Sequence, residues 1–233
     1  MRRFLLVVVI LATSLSAPVA NAVEFTASGA VADPVTILPD RLPGDPVNLV
    51  LDDGSAENNI GLGGTIEFVF LNRFSPTEFP VEITNVQVFF QTTGLVNVGD
   101  SFDVYLYANT TGGTDPAVGA VHVGGQTGNT IAALDVWQDV ALTTPVTFPG
   151  PGDVLVAVVH REIPGTSVWP AAIDQTATQQ RSWAGWYSTA TAPDPPTLPP
   201  DTWILIDASF PGNWLVRATG EVVPVELMSL SVD

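Results

Sequence analysis

Cysteine is absent from this 233-residue chain. That removes disulfides, thiol catalysis, thiolate metal sites and a lipid-modified cysteine at a signal cleavage point. Lysine is absent as well, since all seven basic residues are arginines. The two histidines, His122 and His160, stand far apart and no H-E-x-x-H pair occurs, so the multi-histidine patterns of zinc sites are missing. There is no G-x-S-x-G nucleophile elbow and no glycine-rich phosphate loop. Long apolar runs are missing too. The one at residues 4–12 falls well short of the ~20 residues that a membrane-spanning helix needs.

That short run has a different meaning. Arg2 and Arg3 precede it, and Ala20-Asn21-Ala22 puts small residues at −3 and −1 of a cut. This is the pattern of a secretory signal peptide over residues 1–22, with a mature chain that starts near Val23 and works outside the cytoplasm, in the periplasm or beyond. An exported chain without disulfides points to a bacterial source. Loss of the two signal arginines takes the formal charge from −17 to −19 and leaves Arg41, Arg73, Arg161, Arg181 and Arg217 against 24 carboxylates. Phosphate binding rests on Lys and Arg contacts, so nucleic acid and anionic membrane surfaces are repelled. The acidity itself reads first as a solvated surface that keeps the chain soluble, and second as a supply of oxygen ligands for Ca²⁺.

Residues 23–46 carry Pro34, Pro39, Pro43 and Pro46 with little periodicity and read as an extended leader. From Val47 to about residue 220, short runs rich in Val, Ile, Phe, Tyr, Trp and Thr alternate with Gly, Pro, Asn and Asp. Runs at 65–70, 83–90, 102–107, 120–123, 153–160, 182–187, 202–206 and 214–218 are predicted strands. In 102–107, Phe102, Val104 and Leu106 face one side, and Asp103, Tyr105 and Tyr107 the other. Residues 154–159 are apolar on both faces, as in a central strand covered on two sides. No stretch shows a sustained 3.6-residue period. The predicted fold is all-β, a single antiparallel β-sandwich of jelly-roll-like form, followed by a tail at 221–233. The segment 192–200, with five prolines in nine residues, is predicted to be a stiff, exposed, polyproline-like excursion. Asn109-Thr110-Thr111 matches a glycosylation acceptor within a long polar turn.

Two segments carry a resemblance. Asp52-Asp53-Gly54-Ser55-Ala56-Glu57 resembles the DDG-x-x-E opening of β-sandwich modules in large secreted bacterial proteins, and Gly212-Asn213-Trp214-Leu215-Val216-Arg217-Ala218 resembles the strand that closes them. The tail Pro224-Val225-Glu226-Leu227-Met228-Ser229-Leu230 is similar to segments that lead into a further C-terminal module. The resemblance implies a non-catalytic accessory or adhesion module of jelly-roll-like fold.

Chemistry-bearing residues fall into three groups. The Asp-Asp-Gly bend offers Asp52 and Asp53, with Glu57 close behind, as oxygen ligands for a structural Ca²⁺; the alternative is a turn in which these carboxylates receive backbone N–H groups. The spacing lacks the D-x-D-x-D-G pattern of an EF-hand. All six tryptophans lie in the second half, and Arg181 stands beside Trp183, Trp186 and Tyr187. An exposed indole stacks on a sugar ring while neighbouring polar groups take its hydroxyls; packing in the core is the competing role for the same aromatics. His160, Asp174 and Ser182 are the best available Ser-His-Asp set, with local packing the expected role of His160. No strand carries the E-x-D-x-x-E pattern of some jelly-roll glycosidases, and a count of acids alone proves nothing.

The sequence therefore points to a secreted, non-catalytic β-sandwich that binds a polysaccharide or a cell-surface protein. No cofactor is required, and a structural Ca²⁺ at Asp52, Asp53 and Glu57 is the one candidate. A secreted hydrolase and a structural matrix subunit are the alternative classes.

Overall fold

The computed structural model describes residues 44–62, 66–161 and 168–224. The signal peptide, most of the leader and the tail from residue 225 lie outside the described residues. The strands are β1 (Pro46–Leu49), β2 (Asn58–Ile60), β3 (Phe68–Phe74), β4 (Val81–Phe90), β5 (Ser101–Asn109), β6 (Val121–Thr130), β7 (Val136–Phe148), β8 (Asp153–His160), β9 (Ala171–Asp174), β10 (Ser182–Trp186), β11 (Thr202–Leu205), β12 (Asn213–Trp214) and β13 (Val216–Val222). Two short 3-10 turns, Thr92–Gly94 and Ile206–Ala208, complete the described elements. No helix among the described residues is long and apolar enough to cross a membrane.

Every strand pair is antiparallel. A six-stranded sheet runs β11-β10-β3-β8-β5-β6, a four-stranded sheet β1-β13-β4-β7, and a three-stranded sheet β12-β9-β2. The predicted all-β sandwich is the observed fold. Alternation decides which side chains meet between the layers. Phe102, Val104 and Leu106 of β5 and Val154, Val156 and Val158 of β8 join Ile83, Val86 and Val88 of β4 in the main core. Tyr105, Tyr107, Leu155, Ala157 and Val159 point the other way into a second, smaller cluster. β8 is buried along its whole length, as its doubly apolar sequence requires.

The Pro-rich segment covers that second cluster. Ala192, Pro196 and Pro200 are buried, so the predicted exposed excursion is corrected to a docked one. All three tyrosines of the chain hold it down. Tyr105 donates to Asp194 at 3.0 Å, Tyr107 to the Pro196 carbonyl at 2.6 Å and Tyr187 to the Thr197 carbonyl at 2.6 Å. Burial pushes the Tyr187 phenol up to about 12, so it keeps its donated proton well into the alkaline range. Arg161, just past β8, donates to Asp103 at 2.5 Å, Glu67 at 2.9 Å and the Tyr105 oxygen at 2.5 Å, and Glu67 in turn accepts the Ala192 N–H at 2.7 Å. These partners satisfy charges that burial would otherwise make costly.

Four strands went unpredicted: β1, β2, β7 and β9. β7 contains Pro145 and alternates buried with exposed residues along a sheet edge, where proline is tolerated. β2 and β9 are too short for a period to show.

At the crossing between the sheets, Asn72 of β3 is fully buried. Its amide donates to the carbonyls of Trp214 at 2.9 Å and Val216 at 2.8 Å, and its oxygen accepts the Ser182 hydroxyl at 2.6 Å. Ser182 also accepts the Trp214 N–H at 3.1 Å. Asn72→Ala takes the amide donor from two buried carbonyls and leaves the Ser182 hydroxyl proton without its acceptor. We expect a loss of about 2–4 kcal/mol of stability, read by denaturant melts, and an undiminished Cm would refute this role. His160 ends β8, buried beside Phe90, and burial holds its pKa below the usual 6.5 despite the opposing pull of Asp100 and Glu67. Below about pH 6.5 the unfolded chain therefore binds a proton that folded His160 does not, and stability falls as the pH drops. His160→Phe is expected to flatten the pH dependence of Tm between about 6.5 and 5; an unchanged slope would assign that dependence to other groups.

Candidate functional site

The Asp-Asp-Gly bend follows β1 and abuts the loop after β9. Asp52 is buried and paired with Arg217 of β13, whose Nε lies 3.1 Å from both carboxylate oxygens and whose Nη2 lies 2.5 Å from one. The Gly54 N–H adds a bond at 3.0 Å. The same guanidinium sits 4.1 Å from the centre of the Trp137 ring, which meets Phe89 edge-on at 5.4 Å. Asp53 is exposed. One of its oxygens accepts the Ser55 N–H at 2.9 Å and the Ser55 hydroxyl at 2.6 Å, and these bonds hold its carboxyl below the usual range. Its other oxygen accepts the Thr176 hydroxyl at 3.1 Å. Glu57, also exposed, accepts the Ser55 hydroxyl at 2.9 Å and the Gln175 N–H at 2.7 Å. The bend thus uses its carboxylates to tie loops together. Among the described residues, no group of three or more His, Cys, Asp or Glu is arranged to hold a metal ion.

The aromatics of β10 divide as alternation demands. Trp183 and Tyr187 belong with the outer cluster, while Ala184 packs in the main core. Trp183 is half-buried and stacks on Trp203 at 5.4 Å and 17°. Trp203 in turn donates its indole N–H to Asp115 at 3.0 Å. Tyr187 is buried beneath the Pro-rich segment and is corrected from contact residue to packing residue. Trp186 is half-buried, and Arg181 donates to the Ser75 hydroxyl at 2.7 Å. The four do not form one exposed face.

His160, Asp174 and Ser182 are not assembled into a triad. Asp174 binds the Asp53 and Thr176 N–H groups, Ser182 binds Asn72, and His160 Nε2 lies 3.7 Å from a carboxylate oxygen of Asp100. Asn109 is buried and donates to the Pro116 and Val118 carbonyls at 2.7 and 2.9 Å, so its side chain shapes the turn and is closed to glycosylation.

A different tryptophan faces solvent. Trp169, 37% exposed, lines a cleft of about 400 Å³ with Glu57, Asn58, Asn59 and Thr93. Two close approaches set it there. The Trp169 N–H donates to the Gly94 carbonyl at 2.8 Å. A Cβ on Gly94 would come within 2.5 Å of the Trp169 carbonyl, and one on Gly61 within 2.7 Å of the Trp169 Cα. Only glycine leaves room for the backbone at both positions. β2 supplies Asn58 and Asn59, paired with Ile173 and Ala172 of β9. Asn59 donates to the Thr93 hydroxyl at 2.8 Å, and its own amide oxygen is buried with no hydrogen-bond partner among the described residues. Sequence reasoning passed over Trp169. The available signal was its setting: a large aromatic beside Pro170, in a turn-rich stretch that offers no strand face to bury it.

The fold and these contacts define an all-β sandwich with a solvent-facing aromatic cleft. No protein-family model matches the chain, and no curated protein matches it. Among solved structures it is similar to the clostridial cysteine protease Cwp84 after propeptide cleavage, at 12% identity and a TM-score of 0.51, over 76% of this chain and 40% of that one. A second structure, of the cysteine protease and lectin-like domains of Cwp84, a surface layer associated protein of Clostridium difficile, gives 13% identity and a TM-score of 0.48 over 76% of this chain and 36% of that one. At such identity the first likeness shows a shared sandwich fold. This chain spans well under half the length of either. It contains no cysteine, so the cysteine-protease mechanism of Cwp84 is closed to it.

With Asp52 engaged by Arg217, the bend has Asp53 and Glu57 left for a cation. We expect Tm to be equal in EDTA and in about 1 mM Ca²⁺, a concentration that fills extracellular Ca²⁺ modules. A rise in Ca²⁺ that Glu57→Gln abolishes would restore the three-carboxylate site.

Proposed function

We propose that this chain is an exported, non-catalytic binding module whose ligand is a neutral saccharide of a cell-surface or extracellular polysaccharide, held at the Trp169 cleft. The exposed indole of Trp169 carries this reading, since a flat apolar ring bordered by amide and hydroxyl groups matches a sugar's two kinds of surface. Asn58 and Thr93 line the cleft with an amide and a hydroxyl that suit sugar hydroxyls, while the Asn59 amide is held by Thr93 and its oxygen is buried. The strong negative charge favours an uncharged ligand over a phosphorylated or acidic one. Residues 1–22 supply the export signal. The hydrolase alternative needs two carboxylates across one bond, and among the described cleft residues Glu57 is the one carboxylate. A second reading puts the contact at the half-exposed Trp183, in its stack with Trp203.

Retention on insoluble polysaccharides separates these. Wild type is expected to be retained, Trp169→Ala to bind at least ~10-fold more weakly, a loss of about 1.4 kcal/mol, and Trp183→Ala to keep its affinity while losing stability. Loss on Trp183→Ala alone would move the site to β10, and no retention on any polymer would remove the sugar-binding reading.

A further inference from the structure

Three of the four arginines among the described residues are ion-paired: Arg73 with Asp153, Arg161 with Glu67 and Asp103, and Arg217 with Asp52. Arg181 is the fourth. Its guanidinium donates to the Ser75 hydroxyl at 2.7 Å and meets no carboxylate among the described residues. Ser75 in turn donates to Asp153, which Arg73 already holds at 2.6 Å. Two guanidiniums thus share one carboxylate. This corner keeps a local positive charge in a chain of formal charge −17.

The charge stands at the end of an open strand edge. β1 is an outer strand of the four-stranded sheet, and β13 is its one partner among the described strands. The Val222 N–H of β13 donates to the Asp45 carbonyl at 3.0 Å, so residue 45 holds a hydrogen-bonded position. Such positions alternate along an antiparallel ladder, and the register carries the bonds on through Val47 with Gly220 and Leu49 with Ala218. Pro46, which has no N–H to give, falls between them. Asn48 falls between them too, so its N–H and C=O point away from β13. The other side of β13 agrees. The Phe89 N–H of β4 donates to the Leu215 carbonyl at 3.1 Å, which turns Arg217 and Thr219 toward β4 and leaves Ala218 and Gly220 to β1. Two grooves of about 280 and 290 Å³ meet along this edge and share Asn48, Leu49 and Ser75 as lining. The second runs past buried Phe74 to Leu51 and Arg181. There the Gln179 amide takes the Leu51 carbonyl at 2.8 Å and closes the edge.

We infer that this edge binds a short extended peptide of another protein, whose main chain pairs with Asn48 and whose carboxylate is held by Arg181 and Ser75. The outward N–H and C=O of a strand match a peptide backbone, and a guanidinium without a carboxylate matches the peptide's negative charge in a charge-assisted bond. Leu49 and Phe74 give the groove an apolar floor for one of the peptide's side chains. The edge is four residues long and begins with Pro46, which guards it against pairing with a long strand. The site shares no residue with the Trp169 cleft and does not rest on the sugar reading.

A library of short random peptides, anchored by their N-termini, tests this in two forms: one with free C-terminal carboxylates and one amidated. The mature chain is expected to select peptides from the free form, which assigns the carboxylate to the terminus, or amidated peptides that contain Asp or Glu, which assigns it to a side chain. Arg181→Gln removes the charge and is expected to weaken the selected peptides at least ~10-fold at an unchanged Tm. Asn48→Pro removes the outward N–H while sparing the bonds to β13, and is expected to weaken them as well. Binding is expected to fall between about 50 and 500 mM NaCl and to slow hydrogen exchange at the Asn48 amide. Trp169→Ala is expected to bind the peptides as wild type does. Absence of any selected peptide overturns the inference. So does selection that Arg181→Gln leaves intact, or bound peptide that leaves exchange at Asn48 unchanged.

Discussion

The architecture depends on one buried polar clasp. Asn72 reaches from the middle of the six-stranded sheet to the carbonyls of Trp214 and Val216, where the chain leaves the three-stranded sheet and enters the four-stranded one. A strand that changes sheets must interrupt its ladder, and the freed backbone groups need partners away from water. Asn72 and Ser182 supply them. With that crossing fixed, the Trp214 indole meets both Phe68 and Phe70 edge-on and donates its N–H to the Trp183 carbonyl at 2.8 Å. One small network thereby links all three sheets and the packing of the largest core side chain.

A second constraint acts on the outer face. Tyr105, Tyr107 and Tyr187 alternate out of the main core and would leave a broad aromatic surface in water. The Pro-rich segment covers them and accepts their hydroxyl protons. A proline-rich chain loses little entropy on ordering and presents carbonyls without competing N–H donors. Buried aromatics with polar tips and a donor-poor cover therefore suit each other. The consequence for function is that this face of β10 is largely occupied, whereas the Trp169 indole beside β2 faces solvent.

Much of the fold was legible in the sequence because period-2 alternation is local. The two faces of β5 and the double burial of β8 could be read residue by residue. β7 was hidden because Pro145 argues against a strand unless its place at a sheet edge is known. The candidate sites were less legible. Asp52 and Asp53 look alike as neighbours on a bend, yet one is buried against Arg217 and the other lies in water. Trp183 and Trp169 look alike as tryptophans, yet one stacks under Trp203 and the other stands at a cleft. Side-chain type does not encode which neighbour arrives from a hundred residues away.

What the sequence determined by itself follows from composition and short-range pattern. The lack of cysteine closes thiol chemistry, the excess of acids disfavours anionic surfaces, and alternation with turn residues dictates an antiparallel sandwich. Only the tertiary structure decided which polar groups are already spent on holding the fold and which remain for a ligand. Arg217, Asp52, Asn72 and the three tyrosines are consumed by long-range contacts. Residues 57–59, 93 and 169 are gathered into one cleft because β2 pairs with β9 and two glycines let the Trp169 backbone approach. That outcome is a matter of three-dimensional closeness, which no local period in the chain records.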